Sequence, residues 1–221
     1  MTGRLAPEFP LDVNTPGASA GEDTSGLRAS VSSNLKRFPR LPASARGIPA
    51  AVALVVFDSR DGSACLPIFV RAAGLASHPG QVALPGGKVE IGERPIAAAL
   101  RELHEELGLA VDDGAVLGLL DDFDTFSGFT ITPVVVWGGA TMSNLQPSAD
   151  KVAQLFFLTL EDLSTAVSRA RRGTSRAFCL ELPWGLVYAP TAAILYQFSE
   201  VALDGRPSRV NDFYQPPFAR R

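Results

Sequence analysis

Three glutamates carry the densest chemistry in the chain. Glu102, Glu105 and Glu106 fall at i, i+3 and i+4 of a helix that the spacing predicts over 94–107. Their carboxylates are therefore expected on one shared face. Ile96, Leu100, Leu103 and Leu107 recur at four, three and four as the apolar stripe of that helix, and Gly108 stops it. Like charges so placed cost a helix about 0.2–0.5 kcal/mol per pair. They also lie in its C-terminal half, where the dipole disfavours anions. The nearby cation is Arg101. A hard divalent cation reverses the sign of these terms, because Mg²⁺ or Mn²⁺ takes oxygen ligands and commonly holds substrate phosphates as well. From the helix alone, a charged face that merely solubilises stays equally open.

The preceding loop decides between them. Leu84-Pro85-Gly86-Gly87 puts two glycines where the backbone turns tightly or approaches a ligand. Gly87 is followed by five residues and Glu93, then by seven residues and Arg101-Glu102. The run continues Leu103, His104, Glu105, Glu106, Leu107, Gly108, Leu109. This resembles the Nudix box, G-x5-E-x7-R-E-U-x-E-E-x-G-U with U aliphatic, at every fixed position.

The resemblance implies an α/β/α sandwich around a mixed β-sheet, within the α/β (α+β) class. It implies hydrolysis of a nucleoside diphosphate derivative at its pyrophosphate, with Mg²⁺ or Mn²⁺ as cofactor. Glu102, Glu105 and Glu106 match the metal-binding acids, joined by the backbone carbonyl of Gly87. Glu93 and Arg101 match the pair that holds the loop to the helix. In such chemistry the metal neutralises the pyrophosphate and acidifies a water, and a carboxylate takes the proton. Glu105 and Glu106 are both candidates for that base.

Upstream, Arg71, Leu75, His78, Gly80, Gln81, Val82 and Pro85 resemble the signature that precedes the box in coenzyme A pyrophosphatases, roughly R-S-x-x-L-x-x-H-x-G-Q-V-x-F-P-G-G. Ala72 and Leu84 depart from it. Segments 125–135 and 184–192 are similar to that subfamily too. The resemblance implies coenzyme A or acyl-CoA as substrate, cleaved to 3′,5′-ADP and a 4′-phosphopantetheine product. Other nucleotides such as ADP-ribose or NADH are the alternative within the family. A fold that binds without turnover is the alternative outside enzymes, although no box acid is lost.

Arg71 offers a planar donor fork for a phosphate, or is an ordinary strand-end arginine. His78 donates to a phosphate or staples its loop. Gln81 orders the loop beside the substrate. Phe126 and Phe129 line a groove or pack in the core. His104, at a variable box position, is expected on the surface. Lys151 stands where many relatives carry an acid, so any role of that acid is lost unless Asp150 or another substitutes.

Elements must position these residues. Leu27, Val31, Leu35 and Phe38 predict a helix from 25. Strands are expected at 48–57 and 65–71 as a hairpin, and then at 116–120, 129–137 and 152–158. A helix follows over 160–171, short strands at 177–180 and 186–188, and a closing helix over 191–202. Segments 72–88 and 142–150 read as loops. Residues 1–24 read as a mobile tail, 25–203 as the domain and 204–221 as a second loose tail.

Composition bounds the rest. With 46% hydrophobic and 19% charged residues, the chain of 221 residues can bury a core. A net charge of −3 excludes a basic nucleic-acid footprint and a polybasic membrane anchor. The longest apolar runs, 48–57 and 131–140, are about half of what a spanning helix needs, and the first residues lack the apolar stretch of a secretory signal. Cys65 and Cys179 have no zinc spacing and are expected as buried free thiols. The expectation is a cytoplasmic monomer or homodimer with a small-molecule substrate.

Overall fold

The computed structural model describes residues 24–42, 47–58, 64–75, 77–139, 142–170 and 177–216. Of the expected tail over 1–24, residues 1–23 lie outside these residues and Thr24 already belongs to the first helix; the hairpin turn over 59–63 lies outside them too. Four helices, α1 (Thr24–Arg37), α2 (Pro95–Leu107), α3 (Leu160–Arg169) and α4 (Thr191–Gln197), surround the strands; α4 widens into a π-helical stretch, Phe198–Leu203. The strands are β1 (Ile48–Asp58), β2 (Ala64–Arg71), β3 (Val82–Ala83), β4 (Gly86–Lys88), β5 (Val116–Leu119), β6 (Phe123–Asp124), β7 (Phe129–Gly139), β8 (Val152–Thr159), β9 (Cys179–Leu182) and β10 (Gly185–Tyr188).

β1 is central. It runs parallel to β7, from Ile48 opposite Phe129 to Val56 opposite Trp137, and antiparallel to β4 and to the start of β2. β8 pairs along β2, and β5 and β6 pair with β7, so eight strands form one mixed sheet. β9 and β10 form a separate hairpin. Side chains alternate across β1 and decide the layers. Leu54 and Val56 join Val31, Leu163 and Leu195 of α1, α3 and α4. Ala53, Val55 and Phe57 join Ala99, Leu103 and Leu107 of α2. Helices thus cover both faces, giving the expected α/β/α sandwich. Covered on both faces, β1 reads as a nearly unbroken apolar run.

α2 ends where the glycine predicts. Gly108 adopts φ 70°, the left-handed conformation of a helix terminator, and its N–H bonds the His104 carbonyl. Two short strands, β3 and β4, lie where a loop is expected, and a third, β6, lies between the expected strands 116–120 and 129–137. Their two or three residues have no periodicity, and only pairing with β2, β1 and β7 makes them strands.

The expected loose tail from 204 is also corrected, because residues 204–216 pack onto the domain. Val210 is buried, and Arg209 holds both oxygens of buried Asp121 at 2.7 Å. The Gln215 side chain accepts from the Phe126 N–H and donates to the Asp124 carbonyl. Among the described residues neither cysteine forms a disulfide: Cys65 is buried, with its Sγ 3.2 Å from the Met142 sulfur, and Cys179 is only half-buried. No helix of the described residues is long and apolar enough to cross a membrane.

Candidate active site

The loop–helix unit closes around Arg101. Its Nε and Nη2 donate to the two oxygens of Glu93 at 3.0 and 3.2 Å, and Nη2 also donates to the Lys88 carbonyl at 3.0 Å. Glu93 accepts the Glu90 N–H as well. The Arg101 guanidinium, and then that N–H, hold the Glu93 carboxyl below the usual range; Glu93 and then Glu102 hold Arg101 firmly charged. The expected tie between loop and helix is therefore present.

β4 then passes under α2. A Cβ on Gly86 would overlap the Ala51 carbonyl of β1, and one on Gly87 would overlap the Glu102 carboxylate. Gly86 needs glycine because the neighbouring atoms are β1 backbone, whereas at Gly87 the Glu102 side chain would have to move aside.

The three box glutamates do not share one environment, which corrects the expected common face. Glu105 is half exposed, Glu102 is mostly covered and Glu106 is 3% exposed. The reason is helical rotation: Glu106 lies one residue, about 100°, beyond Glu105. That turn aligns it with Ala99 and Leu103 on the buried side of α2. Its Oε2 accepts the Gly86 N–H at 2.9 Å, and its Oε1 lies 3.8 Å from Nη1 of Arg71. Burial pushes the Glu106 carboxyl up to about 7, against the Gly86 N–H, which lowers it.

Glu102 and Glu105 face two internal cations. Nη1 of Arg101 donates to Oε1 of both, at 2.8 and 3.2 Å. Nζ of Lys151 donates to Oε2 of both, at 3.4 and 2.8 Å. Lys151 and then Arg101 keep the Glu105 carboxyl below its ordinary value. Burial acts against the Lys151 ammonium, but Glu105 and then Glu102 hold it above its usual range.

Among the described residues no three His, Cys, Asp or Glu side chains converge as a metal cluster. The donor set still fits a hard divalent cation. It offers three carboxylates and the Gly87 backbone, with no soft ligand among them. Two internal cations, Arg101 and Lys151, already sit on the Glu102 and Glu105 carboxylates.

On the other side of the glycines opens a cleft of about 760 Å³. Its walls come from 77–84, from β4, from the 125–131 segment and from 186–191. Arg71, His78, Gln81, Phe129 and Gly87 all line it; Glu102, Glu105 and Glu106 are not among its lining residues. Arg71 spans the two regions. Its Nε also donates to the Ser77 carbonyl, and its backbone N–H bonds the Gln81 carbonyl, so strand end and loop hold each other.

His78 sits at φ 53°, a left-handed conformation unusual for a non-glycine residue. Its Nδ1 is buried without a hydrogen-bond partner among the described residues. The expected staple to backbone through that atom is therefore not made. Burial and then Arg71 pull the imidazole below its usual value, which favours its neutral form. Phe129 forms part of the wall; Phe126 is instead exposed, edge-on to Tyr214, and His104 is exposed as expected.

Lys88 is a further cation of the site that the motif spacing does not single out. It lines the cleft, with its ammonium 5.8 Å from the Phe129 ring centre. A cation directly after the two glycines was the available signal. Thr191, whose hydroxyl donates to the Val82 carbonyl, ties the start of α4 to the cleft wall.

Residues 47–178 match the NUDIX domain family. An uncharacterized Nudix hydrolase, NudL, of Pectobacterium atrosepticum is 34% identical over 62% of this chain and 74% of its own length. NudL of Citrobacter koseri, also uncharacterized, is 42% identical over 42% of this chain, and that match spans about half (48%) of the relative. Among solved structures, a Nudix hydrolase of M. smegmatis, RenU, superposes with a TM-score of 0.47 at 19% identity. It covers 73% of this chain and 88% of its own.

Proposed function

Since the chain belongs to the Nudix hydrolase family, whose members generally work with divalent metal ions, we propose that it hydrolyses the pyrophosphate bond of coenzyme A or acyl-CoA. The products are 3′,5′-ADP and (acyl-)4′-phosphopantetheine. The observation that carries this reading is Arg71. It lines the cleft and reaches within 3.8 Å of Glu106, so one guanidinium addresses both the ligand space and the carboxylate helix.

Glu102, Glu105, Glu106 and the Gly87 carbonyl are the residues that would hold Mg²⁺ or Mn²⁺. When bound, the ion neutralises the pyrophosphate and acidifies water. The chain's own residues do the remaining work. Arg71 and Lys88 offer cationic donors to phosphate oxygens, Arg71 as a fork. His78 presents a neutral imidazole with an unspent nitrogen. Gln81 and Phe129 shape the wall beside it. Water displaces in line at phosphorus, the bond to the bridging oxygen breaks, and a carboxylate takes the water's proton. Glu105 and Glu106 are the candidates for that role, and Glu106 is the one beside Arg71. A cleft of about 760 Å³ is within the range of sites that enclose a small ligand.

Incubation of the protein with CoA and Mg²⁺ or Mn²⁺, with products resolved by HPLC, tests the reading. The expected result is 3′,5′-ADP well above a Glu105→Gln control. Equal product in both would overturn it.

A further inference from the structure

We propose that Lys151 is an internal counter-ion that a divalent cation must displace, so that this residue sets the metal affinity of the site. The inference rests on the metal-site assignment just made and concerns a residue outside the box.

All four carboxylate oxygens of Glu102 and Glu105 are already engaged. The two Oε1 atoms face Nη1 of Arg101, and the two Oε2 atoms face Nζ of Lys151. Two carboxylates and two cations make a neutral quartet. A divalent ion cannot use both Oε2 atoms while the ammonium sits between them. One of the two cations has to yield.

The two differ in how they are held. Arg101 is also fixed by Glu93 and by the Lys88 carbonyl, so moving it would undo the loop–helix tie. Lys151 stands on a flexible four-carbon stem with its side chain about one-third exposed (32%), so its head can swing to water. Its backbone does not have to move. The loop before β8 caps α2, with the Gln146 N–H on the Leu107 carbonyl at 2.7 Å and the Ser148 N–H on the Glu106 carbonyl at 2.9 Å. Lys151 is held to the same turn through its N–H to the Ser148 carbonyl. The caps that end the helix thus deliver the ammonium to its carboxylates. With the metal absent, the ammonium relieves the repulsion that Glu102 and Glu105 would otherwise exert. With the metal arriving, it competes.

The test is calorimetric titration of the metal-free full chain with Mn²⁺, for wild type, Lys151→Gln, Lys151→Arg and Glu105→Gln. Lys151→Gln is expected to bind Mn²⁺ about tenfold more tightly while its metal-free form melts at a lower temperature. Lys151→Arg, which keeps the charge, is expected to stay near wild type. Lys151→Gln binding no more tightly than wild type would overturn the proposal. If Glu105→Gln loses binding in that case, only the role of Lys151 falls; if it too binds as wild type does, the metal-site assignment falls with it. A second readout does not depend on the Gln variant folding. Mg²⁺ added to wild type is expected to shift the Lys151 Cε NMR signal, assigned by its absence in Lys151→Arg. An unmoved signal would contradict displacement.

Discussion

At the scale of residues, neighbouring carboxylates differ because one helical step separates a wet face from a buried one. Glu106 has its carboxyl near about 7 in the folded, metal-free protein and in the ordinary range when unfolded. The folded state therefore binds its proton more tightly, and this residue makes stability fall as pH rises from about 4.5 to about 7. His78, held below its usual value, acts in the opposite sense as pH falls, so the comparison must isolate Glu106. Glu106→Gln is expected to remove a pH-dependent loss on the order of 3 kcal/mol between those limits. Urea denaturation of both metal-free proteins at pH 5 and pH 7.5 checks it; parallel pH dependences would contradict it. Gly87→Ala is expected to push the Glu102 carboxylate off its place and lower kcat/KM by about a hundredfold, on the scale of catalytic misplacement. Steady-state kinetics beside a melting curve separates that loss from unfolding. These positions were legible as a set, since Gly87, Glu93, Arg101, Glu102, Glu105 and Glu106 lie within 20 consecutive residues at fixed spacing. The contact of Lys151 with Glu102 and Glu105 was not, because Lys151 stands 49 and 46 positions further along the chain and only the fold closes that distance. The burial of Glu106 did leave a trace, in its alignment with Ala99 and Leu103.

At the scale of elements, α2 is the part that carries the site, and its end is under local control. Gly108 holds φ 70°, and an added Cβ would crowd the Gln146 side chain and backbone. Gly108→Ala is expected to cost about 1 kcal/mol or more. It is also expected to disturb the loop that delivers Lys151. Thermal unfolding should show a drop of roughly 2–4 °C for each kcal/mol lost; an unchanged melting temperature would show that the cap is not needed. The long elements were readable because apolar residues recur at helical or strand spacing over eight or more residues. β3 and β4 were not, since Val82-Ala83 and Gly86-Gly87-Lys88 become strands only against β2 and β1. These short strands line the cleft.

At the scale of the whole molecule, two helical layers clamp the sheet, and the C-terminal segment braces the cleft from outside. Arg209 neutralises Asp121, which is 5% exposed, while Gln215 pins the backbone at Asp124 and Phe126. Arg209→Ala would leave a buried carboxylate without its ion-pair partner and is expected to cost about 3 kcal/mol. Denaturant unfolding measures this, and a loss below about 0.5 kcal/mol would mean that the segment is not a structural part. Its composition, rich in Pro and Arg, resembles that of a loose tail. What holds it is a polar network to Glu200 and, far off in sequence, to Asp121 and Asp124, which hydrophobic periodicity does not reveal.

The central claim joins this cleft to one substrate class. The most direct measurement is kcat/KM for CoA, acyl-CoA, ADP-ribose and NADH with Mg²⁺ and with Mn²⁺, for wild type and Glu105→Gln. CoA or acyl-CoA is expected to rank first, with the activity lost in the variant. A tenfold preference for ADP-ribose would contradict the substrate assignment, and no turnover of any compound would contradict the hydrolase.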